Sequence, residues 1–278
     1  MHLYQRSSGI LLVHQNHSYL IKGYSWDELV NRDDLFTFLL ELSKNLSPQD
    51  TNINLKKETL PPPIGQQEIW AAGVTYQRSK EARMKEAEDA GGGDFYDRVY
   101  DAPRPELFSK GNALRAVGHH GKVRIRKDST WDVPEPELTL FINSGGKIVG
   151  YTIGNDMSSR SIEGENPLYL PQAKVYDGCA GLGPALYVPE HPISPETKIH
   201  MQILRDATIM YDDSVAINRM KRTHTELAEY LFRECSFPHG CYLMTGTCLV
   251  PPDDFTLQSG DEVRISIDEI GWLVNYVA

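Results

Sequence analysis

The feature that most constrains this chain is a pair of apolar runs, Leu138-Thr139-Leu140-Phe141-Ile142 and Lys147-Ile148-Val149-Gly150-Tyr151-Thr152-Ile153, joined through Asn143-Ser144-Gly145-Gly146. Runs rich in β-branched and aromatic residues on either side of Gly-Gly predict a β-hairpin. If Gly145-Gly146 forms a two-residue primed turn, Glu137 faces Gly154 and Glu135 faces Asp156. Side chains alternate along a strand and facing residues share a face. Glu135, Glu137 and Asp156 therefore converge on one side, and Leu138, Leu140 and Ile142 take the other. Three carboxylates on one poorly hydrated face repel one another unless protonated or bridged by a cation. With no His or Cys nearby in sequence, all-oxygen ligation favours a hard divalent ion, Mg²⁺ first and Mn²⁺ or Ca²⁺ after it. The same pattern also suits an edge strand decorated with solvated carboxylates. Pro134 and Pro136 fit both readings, because proline belongs at edges and strand starts.

The rest of the second half repeats the period-two signal at Val123 and Ile125 and at Val263, Ile265 and Ile267, with turn residues such as Gly183-Pro184 and Pro251-Pro252 between runs. This half is expected to be mostly β, a rolled or sandwiched sheet. The first 60 residues or so read as a small α/β unit. Gly9 to Val13 and Tyr19 to Lys22 are short apolar runs, and Leu29, Phe36, Leu39, Leu40 and Leu42 recur at helical spacing between Trp26 and Asn45. Pro61-Pro62-Pro63 removes three backbone donors in succession and suits a stiff connector. The expected division is a small N-terminal domain, 1–65, and a catalytic domain, 66–278. A strand candidate, Ile69 to Val74, opens the second part. A charged helical segment from Tyr76 to Ala90 follows and ends at Gly91-Gly92-Gly93, either as a mobile lid or as a solvated surface helix.

Composition narrows the function classes. The chain is 40% hydrophobic, enough for a sizeable core, and its 28 basic against 38 acidic side chains give a net charge of −10. That balance opposes a phosphate-binding surface, so no nucleic-acid role is expected. No apolar run approaches a membrane span, and the N-terminus carries no leader-like core. Cys179, Cys235, Cys241 and Cys248 form no CxxC pair, which fits reduced thiols and a cytoplasmic location, with Cys248 read as a small buried hydrophobe. The pair His119-His120 reads as loop or surface residues, because adjacent side chains on an extended strand point apart and no third nitrogen or sulfur ligand is near.

The residues assembled above resemble the fumarylacetoacetate hydrolase family, whose signature is Glu-x-Glu on one strand and Asp after the next: here Glu135, Glu137 and Asp156. Gly150-Tyr151-Thr152-Ile153-Gly154-Asn155-Asp156-Met157-Ser158-Ser159-Arg160 is similar to the family's Gly-Tyr-Thr-x-x-Asn-Asp-x-Ser-x-Arg stretch. Lys174-Val175-Tyr176-Asp177, Gly181-Leu182-Gly183-Pro184, Met244-Thr245-Gly246-Thr247 and Ser259-Gly260-Asp261 follow in the family's order. The resemblance implies a β-roll catalytic domain and Mg²⁺ on the triad. It also implies a 2-oxo acid substrate, and a homodimer or homotetramer. Metal coordination polarises the 2-oxo group and stabilises the enolate formed when a C3 proton leaves, with Lys174 a cation beside the same oxygens.

The carbon–carbon hydrolases of this family resemble one another in a His-x-x-Glu pair that activates water, and this sequence departs from that. The two positions hold Ser79 and Ala82, and Glu81 would be a displaced substitute. Val99-Tyr100-Asp101-Ala102-Pro103-Arg104-Pro105-Glu106-Leu107-Phe108 and Glu165-Asn166-Pro167-Leu168-Tyr169-Leu170-Pro171-Gln172-Ala173-Lys174 look like the 2-keto-3-deoxy-D-arabinonate dehydratase branch. That likeness implies an Mg²⁺-dependent lyase that dehydrates a 2-keto-3-deoxy pentonate to 2-oxoglutarate semialdehyde. Glu106 is then the acid/base group, Thr247 binds the substrate carboxylate and Tyr76 lines the pocket. The alternative is a hydrolase of a 2,4-diketo acid or acylpyruvate.

Overall fold

The computed structural model describes residues 1–49, 55, 57–78 and 98–278. Its frame is a large sheet built from strands far apart in sequence. The chain starts as an antiparallel meander, β1 (His2–Arg6), β2 (Gly9–His14) and β3 (His17–Ile21). Two helices follow, Trp26–Val30 and Leu35–Asn45. The first is closed at its N-terminus by a reciprocal Ser25–Glu28 capping box. The sequence pattern runs as one helix across this region, but Asn31 leaves the helical conformation and the break frees two side chains. Asn31 accepts the Ser144 N–H at 2.7 Å and Asp33 accepts from Asn143 at 2.6 Å, which ties the break to the hairpin turn.

After the prolines come β4 (Glu68–Gly73), β5 (Glu106–Asn112), β6 (Ala116–Val117), β7 (Lys122–Val123) and β8 (Asp132–Val133). The predicted hairpin is β9 (Pro136–Ile142) and β10 (Ile148–Asp156), followed by β11 (Ser158–Ser159) and β12 (Ala180–Tyr187). The strands β13 (Lys198–Arg205), β14 (Thr208–Ala216), β15 (Cys241–Met244), β16 (Glu262–Ile267) and β17 (Gly271–Val277) complete the set. The large sheet runs β3-β2-β1-β12-β10-β9-β15-β4-β5, with β6 beside β12, and a second sheet runs β14-β13-β16-β17-β7. The mostly-β expectation holds, and the N-terminal meander continues the large sheet because β1 pairs with β12.

Between the sheets Leu138, Leu140, Ile142 and Ile153 pack with Met201, Ile203, Val263, Ile265 and Leu273. On the other face of the large sheet Phe141, Tyr242 and Met244 pack with Trp26, Leu29, Leu35 and Leu39 of the N-terminal helices. Strand β9 is thus buried on both faces between β10 and β15, and the edge-strand reading of its carboxylates is overturned. The hairpin register is the predicted one, Glu137 opposite Gly154, although the turn differs. Residues 143–147 form a longer loop closed by the Asn143 side chain, which accepts the Gly145 and Lys147 N–H groups, and a bulge between Ile148 and Gly150 restores the register.

His119 and His120 lie in a loop, as expected, but His119 is not a surface residue. It is 2% exposed, its Nδ1 accepts the Val274 N–H at 3.1 Å, and its ring lies 4.1 Å from that of His120. A left-handed backbone at His120 (φ 59°) turns the two rings together instead of apart. The segment expected to be a lid helix lies outside the described residues from Ser79 onward, as do Glu81, Ala82 and the three glycines.

Candidate active site

The cluster is assembled by three pieces of chain. The N-terminal end of β9 brings Glu135 and Glu137, the C-terminal end of β10 brings Asp156, and the Asp156 N–H donates to the Glu135 carbonyl at 2.9 Å. One oxygen from each of the three carboxylates lies within 4.8 Å of the other two, and the three residues are 4%, 1% and 1% exposed. Burial, reinforced by Asp156 and Glu135, pushes the Glu137 carboxyl well above the usual range, while the Gly246 N–H and Lys174 oppose that rise. The Gly246 N–H donates to Glu137 Oε2 at 2.6 Å. Its φ of +97° and a would-be Cβ 2.0 Å from Thr75 Oγ1 explain why glycine stands there.

Lys174 closes the short helix Leu170–Lys174 and is fully buried. Its Nζ donates to Glu135 Oε2 at 2.6 Å, to Ser158 Oγ at 2.5 Å and to Asp156 Oδ2 at 3.3 Å. Three further charged residues, none of them given a role by the sequence pattern, surround the cluster. Arg160 holds Glu135 Oε1 at 2.7 Å. Glu163, one helical turn on, contacts Arg160 at 3.4 Å and Lys174 at 3.5 Å. Lys110 lies 2.6 Å from Asp156 Oδ1 and donates to the carbonyls of Met157 and Lys174. The signal for Lys110 was a bulge that strand periodicity does not reveal: Ser109 pairs with Trp70 and Gly111 with Ile69, so Lys110 is the extra residue and its ammonium is re-aimed at the cluster. Four carboxylates against three cations leave one net negative charge, which a proton on Glu137 or a cation would balance.

Glu135, Glu137, Asp156, Lys174 and Thr247 line one small cavity with Gly73, Val74, Phe108, Arg160 and Gly246. Glu106 is not among the lining residues but lies against one of them, Gly73. It pairs with Gly73 across β4 and β5, and a Cβ on Gly73 would lie 1.9 Å from Glu106 Oε2, so the carboxyl lies directly over that glycine. Thr247 is 4% exposed and its hydroxyl donates to the Leu249 carbonyl at 3.3 Å. Tyr76 is 1% exposed and lies outside the cavity lining. Burial above all, then Cys248 and Glu137, push its phenol up. Val74, with φ +53° on a β-branched residue, is a strained point on the cavity wall. A larger cavity, about 850 Å³, lies between the helices Leu35–Asn45 and His224–Phe232 and includes none of the triad. Chemistry rather than size selects the smaller one. Among the described residues the triad is the one group of three such side chains close enough to share an ion, and its all-carboxylate donor set fits a hard divalent cation.

Comparison with known proteins agrees with this geometry. A probable 2-keto-3-deoxyxylonate dehydratase of Haloferax volcanii is 50% identical over 216 residues, 77% of this chain and 73% of the relative. A 2-dehydro-3-deoxy-D-arabinonate dehydratase of Saccharolobus solfataricus is 41% identical over 217 residues, with the same coverage of 77% and 73%. The structure of a 2-keto-3-deoxy-D-arabinonate dehydratase complexed with magnesium and 2,5-dioxopentanoate superposes with a TM-score of 0.81, at 32% identity over 99% of this chain and 97% of the other. Residues 68–278 match the fumarylacetoacetate (FAA) hydrolase C-terminal family. With the Glu-x-Glu and Asp positions converging on one buried cluster, the chain belongs to the fumarylacetoacetate hydrolase family.

Proposed function

We propose that this protein is a Mg²⁺-dependent hydro-lyase that dehydrates a 2-keto-3-deoxy pentonate, of the arabinonate or xylonate type, to 2,5-dioxopentanoate. The observation that carries the reading is the buried triad beside Lys174, in a chain 41–50% identical to two proteins named as such dehydratases. Glu135, Glu137 and Asp156 would hold the ion, with Mn²⁺ or Ca²⁺ as substitutes. Bound there, it would supply Lewis acidity toward a 2-oxo group. A dication on a cluster of net charge −1 leaves +1, which a monoanionic 2-oxo acid neutralises.

In this reading Glu106 removes the C3 proton and returns it to the departing C4 hydroxyl as water. The electron pair from the C3–H bond forms a C3=C4 bond. A proton shift from C5 to C3 and ketonisation then give the C5 aldehyde. Lys174 supplies fixed positive charge beside the reacting oxygens. Thr247 binds the substrate carboxylate through its hydroxyl and N–H, and Tyr76 closes the pocket behind Glu137. Ser79 and Ala82 supply no water-activating dyad, which favours elimination over hydrolysis. Residues 1–65 act as an accessory module to a catalytic domain of 66–278, supported by a family match that begins at residue 68. Four cysteines outside any disulfide fit a reducing cytoplasm, and the family implies a homodimer or homotetramer. The test is to incubate the protein with each 2-keto-3-deoxy pentonate and trap aldehyde. Aldehyde should form with Mg²⁺, stop with chelator and return on adding Mg²⁺. No aldehyde from any pentonate refutes the reading.

A further inference from the structure

We propose that Arg222 is a positioning residue for Glu106, acting through the turn Val99–Pro103; the inference rests on the reading of Glu106 as the acid/base group. Residues 98–101 are helical, a helix end leaves carbonyls that have no intrahelical partner, and the carbonyls of Val99, Ala102 and Pro103 lie there. Arg222, 7% exposed, gathers them. Its Nη2 donates to the Val99 carbonyl at 3.0 Å and the Ala102 carbonyl at 2.6 Å, and its Nη1 to the Pro103 carbonyl at 3.2 Å. Glu226, one turn along the helix His224–Phe232, holds the same Nη1 at 2.7 Å. A planar fork with five donors can serve three carbonyls and a carboxylate together, whereas a lysine ammonium cannot.

From Pro103 the chain has three residues to reach Glu106, and Pro103 and Pro105 both have their φ fixed by the ring. Displacement of the turn therefore passes to Glu106 with little slack. The neighbouring Lys221 grips the same region from two sides. Its N–H donates to the Thr75 carbonyl at 2.9 Å, its Nζ pairs with Asp101, and it lies 4.2 Å over the Tyr100 ring. Val99 and Tyr100 in turn pack on the strained cavity residue Val74. The Lys221-Arg222 pair thus ties the approach to Glu106 to the wall of the site without touching the carboxylate triad.

The test is a double-mutant cycle on the Mg²⁺-loaded protein with a 2-keto-3-deoxy pentonate, using Arg222→Met, Arg222→Lys, Glu106→Gln and the double variant Arg222→Met with Glu106→Gln. An acid/base group misplaced by about 1 Å costs on the order of 100-fold. Arg222→Met should lower kcat by about that factor and shift the pH profile of kcat, with KM and Mg²⁺ affinity changed by less than about twofold, and Arg222→Lys should fall between. In the Glu106→Gln background Arg222→Met should cost less than about twofold more, the margin within which independent sites add. The same fold-loss in both backgrounds, or wild-type kcat in Arg222→Met, overturns the role of Arg222 alone. If Arg222→Met does not fold, Arg222→Lys is read on the same cycle by the same criteria. Full turnover in Glu106→Gln refutes the acid/base reading itself and the inference with it.

Discussion

Replacing Glu135 by Gln keeps the shape of the side chain and removes the carboxylate that Arg160 and Lys174 hold most closely, at 2.7 Å and 2.6 Å, against 3.4 Å and 3.5 Å from the same two cations to Glu163. The Gln amide can accept from one of them, but its NH₂ then faces the other. Truncating one partner of a buried ion pair costs about 3–5 kcal/mol. For stability this corresponds to a fall in Tm of roughly 6–12 °C at the lower energy, for a chain of this size. The effect on Mg²⁺ is of the same order, because three carboxylates against three cations leave the cluster neutral before the dication arrives. At about 1.4 kcal/mol per decade, affinity should drop by two to nearly four decades. Isothermal titration calorimetry with MgCl₂ on folded protein, checked by circular dichroism, measures this directly. Turnover at saturating substrate should vanish with it. A folded Glu135→Gln protein that binds Mg²⁺ within tenfold of wild type, or that turns over, would refute the assignment of Glu135 as a ligand.

Glu106→Gln should keep Mg²⁺ affinity and lose the reaction by at least about 100-fold, the lower end of what a positioned acid/base group contributes; wild-type turnover in this variant removes Glu106 from the mechanism. Gly246→Ala places a methyl 2.0 Å from Thr75 Oγ1 at a φ of +97°, so overpacking and strain should cost about 2–4 kcal/mol, seen as a lowered urea midpoint with unchanged m-value. Burial pulls the His224 imidazole down to about 4 from an ordinary 6.5. Between those values the unfolded chain binds the extra proton, so stability present above pH 6.5 is lost as pH falls toward 4, with a slope approaching about 1.4 kcal/mol per pH unit. Urea titrations at pH 7, 5 and 4 should show that loss, and His224→Gln should flatten it; an unchanged slope in the variant means His224 is not the responsible group.

The strand pattern carried much of the site. Period-two spacing and a glycine turn placed Glu135, Glu137 and Asp156 on one face, and the register agrees even though a longer loop and a bulge replaced the simple turn. What the pattern did not carry were the partners. Lys110 reaches Asp156 from a bulge, and Arg160 and Glu163 depend on a six-residue helix whose direction no local signal fixes. His119 looked peripheral because a loop residue carries no burial period, and its place is set by the Val274 N–H, 155 positions away in sequence. Pro61-Pro62-Pro63 marks a boundary after the N-terminal unit, and no local pattern shows that His2 and Leu3 pair with Tyr187 and Leu186, a long-range event.

Proton NMR of the Mg²⁺-loaded protein with a 2-keto-3-deoxy pentonate in one tube and an acylpyruvate in another tests the central claim most directly. Dehydration predicts loss of the pentonate C3 and C4 signals, growth of an aldehyde signal from 2,5-dioxopentanoate, and an unchanged acylpyruvate. Pyruvate and a carboxylic acid from the acylpyruvate, with the pentonate intact, would contradict it and make the protein a carbon–carbon hydrolase.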